Sequence, residues 1–239
     1  MKTLALLSQK GGSGKSTLTV HVAVIALAAG RRTVIIDLDP QRSAAGWWET
    51  READTPEMVE TGPGDLRAVL DAARADGVDL CVVDTRPSAG ADAAAAAALA
   101  DLVLIPTRPA IFDLKAIGAT VDIVAAARVP AFIVLNGTPP SRGAGEASVT
   151  ADARRALAGY DMRVAPTSIG LRASLAHALV DGRAVNEFDP AGKAAGEMTK
   201  LWQLMENTLW PNDQPSARSG RSSRRKPRPS RTDRPRPAG

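Results

Sequence analysis

Residues 4–20 read LALLSQKGGSGKSTLTV, and this stretch decides the fold class of the chain. A short apolar run, Leu4–Leu7, leads into a glycine-rich segment, which a helix-forming sequence follows. A strand, a glycine loop and a helix in this order form the context in which a loop binds phosphate groups. Glycines let successive backbone N–H groups turn toward one point, and the start of the helix adds a partial positive charge. A phosphate loop is therefore predicted here, in preference to a chance glycine turn.

The residues of this loop have distinct expected roles. Lys15 is expected to reach the β- and γ-phosphates of a nucleotide, the Ser16 hydroxyl to bind Mg²⁺, and Thr17 to donate to the α-phosphate. In the usual spacing, G-x-x-x-x-G-K-[ST], the first glycine would stand at position 9, but Gln9 occupies it and Lys10 follows. A phosphate loop needs only one lysine, so the second one requires an explanation of its own.

Short apolar runs recur along the chain, with helical patterns between them. Most are wholly apolar, as in strands that are buried on both faces, so a mainly parallel sheet covered by helices in a three-layer α/β/α fold is predicted. The predicted strands are Thr3–Leu7, Thr33–Asp37, Leu80–Asp84, Leu102–Pro106, Phe132–Leu135 and Arg163–Ala165. The predicted helices are Ser16–Ala29, Leu66–Ala75, Ala91–Ala100, Leu114–Ala127, Ser148–Ala158, Ala173–Val180 and Gly192–Leu209.

The end of the chain differs from the rest in composition. The segment 211–239 is dense in Pro, Ser and Arg, and its nine Arg or Lys against two Asp give a surplus of seven positive charges. Because the whole chain carries +4, residues 1–210 carry −3. A segment with so little apolar surface does not offset the entropy lost on ordering. A folded domain over residues 1–210 and a disordered basic tail over 211–239 are therefore predicted.

A single cysteine, two histidines and a short N-terminal apolar run exclude several classes of protein. Cys81 lies in an apolar run and is expected in the core, and one cysteine excludes a disulfide framework or an iron–sulfur cluster held within one chain. His21 and His177 lie too far apart in sequence for a metal-site spacing. The opening MKTLALL is too short for a signal peptide and no later run approaches a membrane span, so a cytoplasmic protein is expected.

The pattern K-G-G-x-G-K-[ST] resembles the variant loop of the ParA/MinD family of dimerising P-loop ATPases. Four more stretches are similar to motifs of that family, over about residues 1–205. They are VIIDLDPQ (34–41), DLCVVDTRPSAG (79–90), DLVLIPTRPAIFDLKAIG (101–118) and PTSIGLRASLAHALVDGRAVNEFDP (166–190). The resemblance implies a P-loop NTPase fold, ATP and Mg²⁺ as cofactors, and hydrolysis of ATP to ADP and phosphate.

The resemblance also gives the second lysine a role. In this family it crosses a dimer interface and contacts the phosphates of the nucleotide in the partner subunit. The bound ATP then becomes part of the interface, so ATP binding is expected to form a homodimer in which Lys10 acts across the two subunits. The alternative is that Lys10 is a solvated loop charge.

Three carboxylates follow predicted strands, at the edge where open α/β sheets bind ligands. The resemblance implies that Asp39 positions the attacking water near Mg²⁺, and that Asp84 is the Walker B carboxylate, which holds Mg²⁺ through water. Asp37 is expected to support either the metal shell or the loop. For Asp39 the alternative is a capped turn at Asp39-Pro40.

Four other residues have expected places in or near the site. Asn136 resembles the position that contacts adenine in the family. Arg86 departs from the D-C-P-P-S segment common in the family, and it is expected on the surface, with a phosphate or partner contact as the alternative. Trp47 and Trp48 are expected to pack, with one of them on the dimer face as the alternative.

The candidate site residues fall into three overlapping groups. The expected catalytic residues are Lys10, Lys15 and Asp39, and the expected metal ligands are Ser16, Asp39 and Asp84. The expected nucleotide-binding residues are Lys10, Gly11, Gly12, Ser13, Gly14, Lys15, Ser16, Thr17 and Asn136.

Within the family, a chain that starts at the first strand resembles the short ParA-type partition ATPases. A nucleoid-associated DNA-segregation ATPase is expected, which binds DNA non-specifically as an ATP dimer and is triggered by a ParB-like centromere-binding protein. A relative that positions a protein cluster or regulates division is the alternative. A metabolic ATP-dependent enzyme is a third possibility, but the sequence has no motif for a second substrate. The basic tail has no apolar face, so insertion into a membrane, as in MinD-type proteins, is not expected.

Two regions are candidates for DNA contact. One is the folded C-terminal region, where Arg172 and Arg183 flank a predicted helix and Lys193 follows, although the family's usual arginine run is here reduced to Gly170-Leu171-Arg172. The tail is the other candidate, through Arg224, Arg225 and Lys226 among its basic residues. Its alternative role is to increase solubility.

Overall fold

The computed structural model describes residues 1–140 and 145–212, and within them the strands form one parallel sheet. The strands are β1 (Lys2–Leu6), β2 (Thr33–Asp37), β3 (Glu57–Glu60), β4 (Leu80–Asp84), β5 (Leu102–Thr107), β6 (Ala131–Thr138) and β7 (Ile169–Gly170). Their order in the sheet is β3-β2-β4-β1-β5-β6-β7, so the phosphate loop begins after a central strand.

Helices follow most of these strands and cover both faces of the sheet. They are α1 (Lys15–Ala28), α2 (Ser43–Thr50), α3 (Leu66–Ala75), α4 (Ala91–Leu99), α5 (Ile111–Ala116), α6 (Gly118–Ala127), α7 (Ser148–Leu157), α8 (Ala173–Val180), α9 (Val185–Phe188) and α10 (Lys193–Leu209). Side chains alternate between the faces of a strand, so Leu4 and Leu6 of β1 pack with α1, α2, α8 and α10, while Ala5 packs with α3, α4, α6 and α7. The predicted three-layer α/β/α fold is confirmed.

The register of the central strands places the ends of β1, β2 and β4 side by side. Strand β4 lies between β1 and β2, and Asp84 at its end pairs with Leu6 on one side and with Asp37 on the other. Parallel strands all point the same way, so the phosphate loop and these two carboxylates start from one edge of the sheet. The phosphate loop and the carboxylates therefore meet at one edge of the sheet, as predicted, and their role as a nucleotide site stays a prediction.

The differences from the predicted elements have local causes. The segment Arg163–Ala165 forms only an isolated bridge from Val164 to Ile133, and the outer strand is instead the two-residue β7. The sequence pattern missed β3, whose residues EMVE lie at the sheet edge with no buried side chain, and α2, a short helix that contains a glycine. The predicted helix Leu114–Ala127 is split into α5 and α6.

Two composition-based predictions concern the core and the tail. Cys81 is fully buried, and burial raises the pKa of its thiol to about 12, so it is an inert core residue as predicted. The predicted tail, with Arg224, Arg225 and Lys226, lies outside the described residues from position 213 onward. Over the part of the chain that the structure describes, no helix combines the length and the apolar character that crossing a bilayer requires.

Candidate nucleotide-binding site

The loop between β1 and α1 has a backbone that only glycine adopts easily. Gly12 and Gly14 have φ angles of +68° and +96°, in the left-handed region. A Cβ on Gly14 would come within 2.0 Å of the Asn136 amide nitrogen, and one on Gly12 within 2.3 Å of the Arg108 guanidinium. The positive φ angles therefore favour glycine at both positions, and the ends of the Arg108 and Asn136 side chains pack directly against them.

Lys15 is the first residue of α1, and its side chain is buried with only 5% of the residue exposed. Burial lowers the pKa of the ammonium group, while the nearby carboxylates of Asp84 and Asp39 oppose that change. The lysine is thus held at the helix start beside two carboxylates. This is the position from which it could reach a phosphate bound on the loop.

Asp84 is fully buried, and neither of its carboxylate oxygens has a hydrogen-bond partner within the described residues. Burial raises the pKa of Asp84 to about 7, and Ser16 and Lys15 lie close enough to oppose that rise, although the Ser16 hydroxyl makes no hydrogen bond of ordinary geometry with it. A buried carboxylate without donors is costly unless a cation or an ordered water compensates it. The oxygen ligands of Asp84, Ser16 and Asp39 therefore fit Mg²⁺, which binds through one or two carboxylates and keeps several waters.

Asp37 supports the loop that follows β2. Its Oδ1 accepts the backbone N–H of Asp39 at 2.9 Å, and its Oδ2 accepts that of Ala45, in α2, at 3.1 Å. Burial raises the pKa of Asp37, and these backbone donors oppose the rise. Of the two roles expected for Asp37, the hydrogen bonds favour support of the loop.

Asp39 caps a turn and also lies beside the phosphate loop, so both arrangements considered from the sequence are present. Its Oδ1 accepts the backbone N–H of Gln41 at 3.0 Å, which is the capped turn. Asp39 also lines a cavity of about 400 Å³, together with residues of the phosphate loop. The lining residues are Gly12, Gly14, Lys15, Ser16, Thr17, Val20, Asp39, Gln41, Ser43, Trp47, Pro87 and Leu179.

Lys10 lies exposed at the start of the loop. Within residues 1–140 and 145–212 its side chain makes no ion pair, and its backbone N–H donates to the Ser8 hydroxyl at 3.4 Å. The ammonium group is therefore free for a ligand outside this chain. Its role across a dimer interface stays a prediction.

Asn136 and Arg108 both contact the phosphate loop. The Asn136 amide donates to the Ser13 carbonyl at 2.7 Å, so in this structure it holds the loop. Arg108, in the turn after β5, donates from Nε to the Gly12 carbonyl at 2.8 Å. The sequence reasoning missed Arg108, and its only signal was its place in the stretch 101–118, after a strand that ends at the same edge of the sheet.

Arg86 and the two tryptophans singled out from the sequence have partners within the chain. Arg86 forms an ion pair with Asp92 and is half exposed, in agreement with the expected surface position. Trp47 is buried in the core and donates to the Arg183 carbonyl at 3.3 Å, and Trp48 packs against the same cluster. The expectation that both tryptophans pack is confirmed.

The two folded candidates for DNA contact each have a carboxylate beside them. Arg172 forms an ion pair with Glu197, and Arg183 forms one with Asp181. Arg183 also lies 4.8 Å over the ring of Phe188. Each guanidinium is thus largely compensated, which weakens this region as a site for DNA phosphates.

Comparison with known families identifies one nucleotide-binding domain. The model of the CobQ/CobB/MinD/ParA nucleotide binding domain matches residues 4–187. The matched range contains the phosphate loop and the carboxylates at the ends of β2 and β4.

Two curated relatives cover most of the chain. Protein IncC of Escherichia coli is 31% identical over 249 aligned positions, which cover 84% of this chain and 68% of IncC. Maintenance of carboxysome distribution protein A of Halothiobacillus neapolitanus is 31% identical over 206 positions, which cover 82% of this chain and 91% of that protein.

Solved structures share the fold at lower sequence identity. The septum site-determining protein MinD of Pyrococcus horikoshii OT3, complexed with Mg-ADP, has a TM-score of 0.68 and 16% identity. The superposition covers 86% of this chain and 96% of that one. At this identity the likeness is one of fold.

Proposed function

The chain belongs to the CobQ/CobB/MinD/ParA nucleotide-binding domain family, and from this membership we propose that it is an ATPase that partitions DNA. It binds ATP with Mg²⁺, dimerises around the nucleotide, binds DNA without sequence preference and hydrolyses ATP when a ParB-like centromere-binding partner stimulates it. One observation carries the proposal: the exposed Lys10, which makes no ion pair within the described part of the chain, precedes a loop whose buried Lys15 lies beside Asp39 and Asp84.

Each residue of the site has a separate role in the transfer of the phosphoryl group to water. Backbone N–H groups of residues 11–14 and the Lys15 ammonium bind the phosphates. Ser16, Asp84 and Asp39 would hold Mg²⁺, and Asp39 would position the attacking water. Mg²⁺, when bound, neutralises charge on the transferring phosphoryl group. Asp37 keeps the Asp39 backbone in place through the 2.9 Å hydrogen bond described above.

Dimerisation follows from the charge left exposed at the loop. ATP with Mg²⁺ presents negative charge outward, and Lys10 has no acidic partner in the described residues to compete for it. Two such lysines, one from each subunit, would pair with the two nucleotides across the interface. ATP then stabilises the dimer, and its loss releases the subunits.

Replacing Lys10 with alanine tests this arrangement. Lys10→Ala is expected to keep ATP binding in the monomer and to lose the ATP-dependent dimer, because the exposed side chain makes no ion pair within its own described chain. DNA binding should fall with it, since two weak basic faces then act singly. Sedimentation velocity with ATP and Mg²⁺ measures the change, with Lys193→Ala as a control for one lost surface charge. An intact dimer in Lys10→Ala would refute the role across subunits.

The basic tail is the stronger candidate for DNA contact. Arg172 and Arg183 are compensated by neighbouring carboxylates, whereas the segment 211–239 has a surplus of seven positive charges. Arginines of this kind bind phosphates by releasing counterions, without reading bases, and the binding weakens strongly with salt.

A chain that ends at Trp210 is expected to keep its ATP-dependent dimer and its basal ATPase, and to bind random-sequence DNA more weakly. The slope of log K against log salt should also be shallower, because it scales with the number of phosphates neutralised. Fluorescence anisotropy at several salt concentrations measures both quantities. A full-length variant with Arg224, Arg225 and Lys226 changed to glutamine is the matched control and should show a smaller change in the same direction. If affinity and slope are unchanged without the tail, the folded region carries the DNA contact.

A second candidate function is the positioning of a protein cluster by the same ATPase cycle. The similarity to the carboxysome distribution protein over 91% of that protein's length favours it. The neighbouring genes distinguish the two functions: a small DNA-binding gene directly downstream favours DNA partition, and genes for a protein assembly favour positioning.

A further inference from the structure

Two side chains from distant parts of the chain hold successive carbonyl groups of the phosphate loop. Arg108 donates to the Gly12 carbonyl from Nε at 2.8 Å, and from Nη2 to the same oxygen. Asn136 donates to the next carbonyl, that of Ser13, at 2.7 Å. Asn136 lies in β6, and Arg108 lies in the turn between β5 and α5. The loop is thus braced at two consecutive peptide units.

The planar trans peptide links each braced carbonyl to one amide of the phosphate cradle. In such a peptide the C=O and the following N–H point in opposite directions. A donor that holds the Gly12 carbonyl therefore also orients the N–H of Ser13, and one that holds the Ser13 carbonyl orients the N–H of Gly14. Gly12 and Gly14 line the cavity beside Lys15, and neither Arg108 nor Asn136 does. The two donors thus contact the loop from outside that cavity.

Bracing matters because this loop is rich in glycine. Glycine loses more backbone freedom on ordering than any other residue, and two of these glycines have φ above +60°. A loop that is already held in place loses less entropy when a nucleotide binds, which raises affinity. The side chain of Arg108 is suited to this role, since it makes no ion pair within residues 1–140 and 145–212 and offers several donors in a fixed plane.

We propose that Arg108 is a positioning residue of the nucleotide site, which orients the loop amides through the Gly12 carbonyl and does not itself touch the nucleotide. The proposal rests on the ATP binding in the proposed function, and it is independent of dimerisation, of DNA and of the partner. It assigns a role to a residue 96 positions away from Gly12 along the chain.

The test measures affinity for ATP and ADP analogues, with Mg²⁺ and at protein concentrations that keep the chain monomeric. Arg108→Gln should lower the affinity for both nucleotides by the same factor, about tenfold. This corresponds to the loss of one charge-assisted hydrogen bond. Arg108→Lys, which keeps a charged donor, should recover part of the loss. Arg67→Gln, at an exposed arginine of α3 without an ion pair in the described residues, is the matched control and should bind like the wild type. In the nucleotide-free protein, the loop peptide of Arg108→Gln should also exchange its amide hydrogens faster.

Three results would overturn the proposal. Unchanged affinity for both nucleotides, with unchanged hydrogen exchange in the loop, would mean that the contact does not orient the loop. A loss for ATP without a loss for ADP would mean that Arg108 touches the γ-phosphate directly. If the wild-type chain binds neither nucleotide, the proposed function itself is wrong. If the wild type binds and Arg108→Gln binds equally well, only the role of Arg108 is wrong.

Discussion

Replacing Lys15 with alanine is expected to weaken ATP binding by at least about 100-fold, since contacts between an ammonium group and phosphate are among the strongest polar interactions in proteins. The structure adds a second cause. Lys15 lies beside Asp84 and Asp39, so its removal also takes away a positive charge that offsets these two carboxylates where the phosphates bind. Both effects act in the same direction. Titration with a fluorescent ATP analogue measures the loss.

The same titration with Lys193→Ala, an exposed lysine at the start of α10, controls for the loss of one positive charge. Thermal unfolding without nucleotide controls for the fold. Burial disfavours the charged form of Lys15, so its replacement by alanine is not expected to lower the unfolding temperature. Near-wild-type affinity of Lys15→Ala for ATP would contradict the assignment of the whole loop.

Replacing Asp39 is expected to lower the rate of ATP hydrolysis by about 100-fold or more while ATP still binds, which is the scale of losing a positioned group in a proton-transfer step. The variant should then accumulate as the ATP dimer. The physical reason is the place of Asp39, at the cavity beside Lys15 and Ser16. Phosphate release in a single turnover measures the rate, and size-exclusion chromatography with ATP measures the dimer.

Two variants separate the carboxylate from the turn that it caps. Asp39→Asn keeps an oxygen that can accept the Gln41 N–H, now at 3.0 Å, and removes the charge. Asp39→Ala removes both. If the charge acts in hydrolysis, both variants lose turnover to a similar extent. Loss in Asp39→Ala alone would assign Asp39 to the turn, and normal turnover in both would remove it from the mechanism.

The sequence predicted the parts of this site that depend on short-range order. The phosphate loop needs a strand, glycines and a helix start in one stretch, and the carboxylates Asp37 and Asp84 each end an apolar run, so their meeting at one sheet edge follows from parallel strands. The order that places β4 between β1 and β2, with Asp84 level with both Leu6 and Asp37, was not predicted, because strand order depends on long-range contacts.

What the sequence did not predict depends on contacts between distant residues or on small elements. Helix α2 is held by the hydrogen bond from the Ala45 N–H to Asp37, which no periodicity reveals. Strand β3 has no buried residue to give an apolar run. The contact of Arg108 with Gly12 joins residues 96 positions apart, and the ion pairs of Arg172 and Arg183 are visible only once the chain is folded.

The most direct test of the central claim, that ATP controls DNA binding, uses the full-length chain and a random-sequence duplex. Affinity is measured by fluorescence anisotropy with Mg²⁺ and either a slowly hydrolysed ATP analogue, ADP or no nucleotide, at several salt concentrations. Tight, salt-sensitive binding is expected with the ATP analogue, and weaker binding with ADP or without nucleotide, because only the dimer brings two basic tails together on one duplex. Equal affinity in all three conditions would contradict it.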